Sequence, residues 1–216
     1  MRILAFTDIH GAYDRVSGVL SSEQTYDVIL IGGDLTTFGT HKEAAAALKS
    51  FGSFGKPVLI VAGNMDPPSL EETFAQQATS INGSGIVIDR TGFFGVSAAP
   101  FSPLKTPYEI SEEEISSRAE WGSRAVAGAE RRVFVPHAPP FDTALDTIHS
   151  GKHVGSTAVR KFIDTNHPDV VVCGHIHEAR GIDHLGSTTI VNCGPAGKGF
   201  YAVINLGPDV SVELRG

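Results

Sequence analysis

The chain is poor in several things, and each shortage excludes something. Two cysteines in 216 residues, not in a C-x-x-C pair, leave no disulfide framework and no thiolate metal knuckle. A reducing, cytoplasmic setting follows as the expectation. Basic residues are outnumbered 17 to 24, giving a net charge of −7, which argues against an extended nucleic-acid surface. No apolar run approaches the roughly 20 residues of a membrane span. The start, Met1-Arg2 before Ile3 to Phe6, is too short for the apolar region of a signal peptide. Low-complexity stretches, repeats and linkers are missing too, and 41% hydrophobic residues argue against disorder. One domain over residues 1–216 is expected. Against these shortages stand nine histidines, and their placement is the question.

Short apolar runs recur without alternation at Ile3–Phe6, Val28–Ile31, Val58–Ala62, Val133–Val135 and Val170–Cys173. Such runs read as strands covered on both faces. Helical segments lie between them at Tyr13–Leu20, His41–Phe51, Ser69–Ala78, Ser111–Ala127 and Thr157–Asp164. Ser69 and Ser111 each precede a Glu by three residues, the pattern of a capping box. Alternating strands and helices predict an α/β layered fold with parallel pairing. Gly85–Ala98 reads as a hairpin turning near Thr91-Gly92, and Thr188–Leu214 as three antiparallel strands. The result is a mixed sheet, or two stacked mixed β-sheets, flanked by helices. The acidic segment 99–130 is expected to be an excursion from that body.

Ligands in open α/β sheets bind beyond the carboxyl ends of the strands. There the five runs deliver Asp8 and His10, then Gly33-Asp34, Gly63-Asn64-Met65-Asp66, His137, and Gly174-His175-Ile176-His177. Each alone could be no more than a turn, although Gly-His-x-His is expected only about 0.04 times by chance at this composition. The conjunction is informative. Three oxygen ligands and four imidazoles, without a thiolate, suit first-row divalent ions. Seven side chains exceed what one ion needs and suit two ions sharing a carboxylate.

In their order and strand-end placement these motifs resemble the signature of the calcineurin-like metallophosphoesterase superfamily. The resemblance implies an αββα sandwich and a dinuclear site. One ion would be held by Asp8, His10, Asp34 and His177, and the other by Asp34, Asn64, His137 and His175, with Asp34 bridging. It also implies hydrolysis of phosphomono- or phosphodiesters by a metal-bridging hydroxide. Manganese is the first expectation for both ions, with iron, zinc, nickel or cobalt compatible. The expected partner is a small phosphate ester, a nucleotide among the options, and no membrane. The family usually has His after the Gly-Asn pair, and this chain has Met65, which cannot donate a proton. Asp66 and His153 are the substitutes considered, beside Asp34 and Asn64, for the catalytic set. An alternative on the same residues is a weak or inactive scaffold that binds metal and a protein partner.

Other residues draw structural readings. His153 lies in a Gly-rich loop where Lys152 or Ser156 could contact phosphate, while His41, His149, His167 and His184 are expected to be incidental. Glu112 to Glu114 are expected to be a solvated first helical turn. Trp121, Phe101, Cys173 and Cys193 are expected to be buried.

Overall fold

A computed structural model describes residues 1–216. The chain runs β1 (Arg2–Phe6), α1 (Tyr13–Ser22), β2 (Val28–Gly32), α2 (His41–Gly52), β3 (Val58–Val61), α3 (Leu70–Gln77) and β4 (Thr79–Ser80). It continues through β5 (Gly85–Ile88), β6 (Thr91–Val96), β7 (Ala99–Pro100), β8 (Glu109–Ile110), α4 (Glu112–Ala125) and β9 (Arg131–Pro136). Last come α5 (Thr157–Asn166), β10 (Val170–Cys173), β11 (Gly181–Leu185), β12 (Thr188–Asn192), β13 (Tyr201–Leu206) and β14 (Val210–Arg215).

Two six-stranded mixed sheets form, ordered β14-β13-β1-β2-β3-β4 and β11-β12-β10-β9-β6-β5. Residue alternation explains why the central runs needed no polar face. Ile3 and Ala5 of β1, with Leu30 and Val61, pack against Val133, Val135 and Val172 of the second sheet. Leu4 and Phe6 point the other way and pack with Val16, Leu48 and Phe74 of α1 to α3. Phe94, Phe134 and Val171 likewise meet Ile115, Phe162 and Ile163 of α4 and α5. Both faces of each sheet are thus covered, giving four layers, α–β–β–α.

Several expectations need correction. The hairpin turns at Asp89-Arg90, both with positive φ (43° and 67°), rather than near Thr91-Gly92. That is the backbone of a two-residue type I′ turn. Gly92 is needed inside β6 for a different reason: a Cβ there would lie 2.6 Å from Cβ of Val126. Ser69 makes no side-chain cap; α3 is entered through Pro67 and Pro68, whose carbonyls accept from Leu70 and Glu71. The tail is not wholly antiparallel. β12 pairs parallel with β10 in one sheet, while β13 and β14 are antiparallel in the other. Segment 99–130 is no excursion, since α4 packs on β6 and α5 as part of an outer layer. Trp121 and Phe101 are exposed rather than buried.

Glu112 is also not a spare charge. Its carboxylate accepts from Ser156 Oγ (2.6 Å) and from the backbone N–H groups of Thr157 and Ala158 (3.0 and 2.9 Å), capping α5 from the start of α4. Charge-assisted bonds to a helix N-terminus combine with the helix dipole. Glu112→Ala leaves three donors without this partner. It is expected to cost about 1–3 kcal/mol, measured by urea denaturation. The equivalent change at exposed Glu113, whose carboxylate bonds only its own N–H and Ser111, is expected to cost under about 0.5 kcal/mol.

Candidate metal centre

Strands β1, β2 and β3 run parallel in the first sheet, and β9 and β10 run parallel in the second. Their carboxyl ends therefore meet at one edge, and the loops beyond them interlock. Asp8 N donates to Gly33 O, His10 N to Asp34 O, and Gly174 N to His137 O. Across the two sheets, His175 N donates to the Asp8 carboxylate at 3.0 Å.

The loops bring all seven predicted side chains together. Asp8, His10 and His177 form one group whose ligand atoms lie within 4.8 Å of one another. Asp8, Asp34 and His137 form another. Asn64 Oδ1 sits 3.0 Å from His137 Nε2 and 2.8 Å from His175 Nδ1. Between the two halves, Asp34 Oδ2 lies 3.5 Å from His10 Nε2 and 3.6 Å from His137 Nε2. Its other oxygen accepts from Met65 N at 2.7 Å, which fixes the carboxylate plane.

Outer partners set the rings. His137 Nδ1 donates to Gly32 O at 2.9 Å, leaving Nε2 to face the centre. Thr37 Oγ1 holds His10 Nδ1 at 2.8 Å. Orientation of a ligand histidine through its second nitrogen is the usual supporting device at a metal site. Four of the seven residues, Asp8, His10, Asp34 and His175, also hold positive φ of 48° to 66°. Non-glycine residues pay strain there, and such strain concentrates at functional sites.

The electrostatics show a cluster that wants cations. Burial opposes ionisation of Asp8, yet the His177 hydrogen bond and the charge of His137 hold it down at about 2. Burial likewise opposes charge on His137, but the Asp34 and Asp8 carboxylates outweigh it and raise it to about 9. Burial and that neighbouring imidazolium push His175 down to about 4. Protons on some imidazoles neutralise buried carboxylates in the metal-free protein; divalent ions would do so more completely.

The two catalytic substitutes considered from the sequence are not among the grouped ligand atoms. Both oxygens of Asp66 are occupied, taking Leu35 N, Thr36 N, Thr36 Oγ1 and Gly63 N at 2.8 to 3.1 Å. Asp66 thus ties the Asp34 loop to the Asn64 loop, and burial with the Asp34 charge raises it to about 6. His153 stands on the segment after His137, paired with Asp146. Ser156 is buried as the cap of α5 and does not face a ligand space. Sequence reasoning gave no role at the site to Thr37, or to Asn192, whose amide donates to Ile176 O (2.9 Å) inside the Gly-His-x-His loop.

Comparison with known proteins fits this geometry. The family model for calcineurin-like phosphoesterase matches residues 1–179. The uncharacterized protein MJ1162 of Methanocaldococcus jannaschii is 32% identical over 205 residues, covering 93% of this chain and 90% of that protein. The crystal structure of TT1561 of Thermus thermophilus superposes with a TM-score of 0.78 at 18% identity, covering 100% and 98% of the two chains. Haemophilus influenzae NAD nucleotidase superposes at 0.60 and 12% identity, over 100% of this chain and 49% of that one. With a family model that spans most of its length and a relative similar nearly end to end, the chain belongs to the calcineurin-like phosphoesterase family.

Proposed function

We propose that the chain is a metal-dependent phosphoesterase that hydrolyses phosphomono- or phosphodiesters at the edge where the two sheets meet. One observation carries the reading: a buried carboxylate oxygen stands nearly equidistant from imidazoles of two ligand groups. Asp8, His10, Asp34 and His177 would hold one ion; Asp34, Asn64, His137 and His175 the other. The donor set, oxygen and imidazole only, fits manganese first and admits iron, zinc, nickel or cobalt. Two such ions, when bound, supply charge to the phosphoryl oxygens and a water acidified towards neutrality.

The protein's own residues do the rest. Asp34 is held by Met65 N and His137 by Gly32 O, so the ligands are set before any ion arrives. Asp66 positions both flanking loops. A small ester is the natural substrate for a site confined to one edge of a net-acidic chain. The fold neighbour that is an NAD nucleotidase makes a nucleotide a good first choice. The two free, buried cysteines suit a reducing, cytoplasmic compartment.

Met65 favours the competing reading, a metal-binding scaffold for a protein partner, because its thioether offers no proton to a leaving group. Elemental analysis followed by a panel of mono-, di- and cyclic phosphates decides between them. The expected result is about two ions per chain and metal-dependent turnover of at least one ester class. Metal uptake with no turnover across several divalent ions would favour the scaffold.

A further inference from the structure

The segment after ligand His137 holds a second arrangement of titratable groups. Asp146 is fully buried, and its carboxylate accepts the backbone N–H groups of Asp142 (3.2 Å), Thr143 (3.0 Å) and Gly155 (2.9 Å). His153 Nδ1 lies 2.6 Å from Asp146 Oδ1. Its Nε2 is left on the outer side, 3.8 Å from Asp142 Oδ1, with a side chain 35% exposed and the Phe141 ring edge-on at 6.0 Å.

This turn is tied to the candidate metal edge in three places. Ser156 N donates to Pro139 O, two residues beyond His137. The Asn192 amide that holds Ile176 O also reaches Leu145 O, at 3.5 Å. His149 N donates to the carboxylate of Glu178, the neighbour of His177, at 3.3 Å. His153 therefore stands on a segment braced against the ligand loops.

We propose that His153 is the proton donor to the leaving-group oxygen of the phosphate ester, with Asp146 as its positioning residue. The inference rests on the phosphoesterase reading. It supplies what Met65 cannot, since an ester with a poor leaving group needs a proton in the transition state. An Asp carboxylate that takes Nδ1–H fixes the ring and leaves Nε2–H free to be given away. The charged groups facing the ring are Asp146 and Asp142, while Glu178 across the loop faces His149 instead. The hydrogen bond to Asp146, then the two carboxylate charges, raise the imidazole above its ordinary range, which favours its protonated form.

In the step itself a water oxygen bonds to phosphorus. The bond from phosphorus to the leaving oxygen breaks, with its electron pair going to that oxygen. The Nε2 proton moves to the same oxygen, which departs as an alcohol. The attacking water releases one proton to solvent, and solvent returns one to the imidazole.

His153→Gln, loaded with manganese, is expected to lose about 10²- to 10⁴-fold in kcat on an alkyl phosphate ester. On the matching nitrophenyl ester, whose leaving group departs unprotonated, the loss is expected to be about tenfold or less. His153→Arg keeps the charge without a transferable proton and should not rescue the alkyl ester. Because the donor must be protonated, wild-type kcat on that ester falls as pH rises through the His153 pKa, and His153→Gln loses this limb. A second readout needs no metal: the imidazole titration of His153 by NMR should move to lower pH in Asp146→Asn. Should Asp146→Asn fail to fold, the His153 variants on this solvent-facing loop still carry the test. Equal losses on both esters, or rescue by Arg, would overturn the proton donor alone. Absence of turnover by the wild type on any ester would sink the phosphoesterase reading and this one with it.

Discussion

Asp34→Ala is expected to lower hydrolysis of an activated aryl phosphate ester by about 10³-fold or more, roughly 4 kcal/mol of transition-state stabilisation, and to release bound divalent ions. The expectation follows from position. Asp34 Oδ2 faces His10 on one side and His137 on the other, so its loss removes a ligand from both halves at once. Its other oxygen takes Met65 N, so the alanine variant also removes one tie of the loop that carries Asn64. Asp34→Asn separates these effects, since an amide oxygen still accepts from Met65 N while the charge is gone. Ligand binding stabilises the folded state by about 2.7 kcal/mol at 100 times Kd, which in a chain of this length is a rise in Tm of roughly 5–10 °C. Wild-type protein should show that rise on adding manganese, and Asp34→Asn should not. Full metal content in Asp34→Asn, by elemental analysis, would remove Asp34 from the bridging position.

What could be read in advance depended on which physical signal each residue left in the sequence. The runs at β1, β2, β3, β9 and β10 are covered on both faces, so apolar content alone revealed them, and the chemistry at their ends came with them. Gly181–Leu185 left no such trace: β11 is an edge strand, with Asp183 and His184 among its five residues. Gly92 misled because a glycine that admits a helix looks identical, in sequence, to one that turns the chain. Glu112 read as surface charge because its partners, Ser156 to Ala158, lie more than forty residues away. Asp66 is the same case inside the site, its donors on Leu35 and Thr36 being invisible at a distance of thirty residues. The left-handed backbone at Asp8, His10, Asp34 and His175 is written in no motif, although Asp and His tolerate it better than branched residues do.

Gly63→Ala should be about as damaging to the site as losing a ligand, although it adds one methyl group to a residue that binds nothing. The sequence suggests a glycine kept for a tight turn, but Gly63 is not among the residues with positive φ. What it provides is clearance. A Cβ built on Gly63 would fall well inside van der Waals contact with Asp34 Oδ1 and with the Asp34 backbone nitrogen. Asp34 cannot retreat, because Oδ1 is bonded to Met65 N, and Gly63 cannot retreat, because its own N–H is bonded to Asp66 at 3.0 Å. Gly174 plays the same part for Asp8, whose carboxylate and the Thr7 side chain fill the space a Cβ would need. Overpacking ordinarily costs about 1–3 kcal/mol, and here the strain falls on the bridging carboxylate itself. Gly63→Ala is therefore expected to lower Tm and to lose manganese together. Gly18→Ala, on an open face of α1 with nothing within 4 Å, should instead gain about 0.5–1 kcal/mol and keep its metal. If Gly63→Ala melts with the wild type and binds the same metal, the Asp34 loop is not held between those two hydrogen bonds, and the case for a preset ligand cage fails with it.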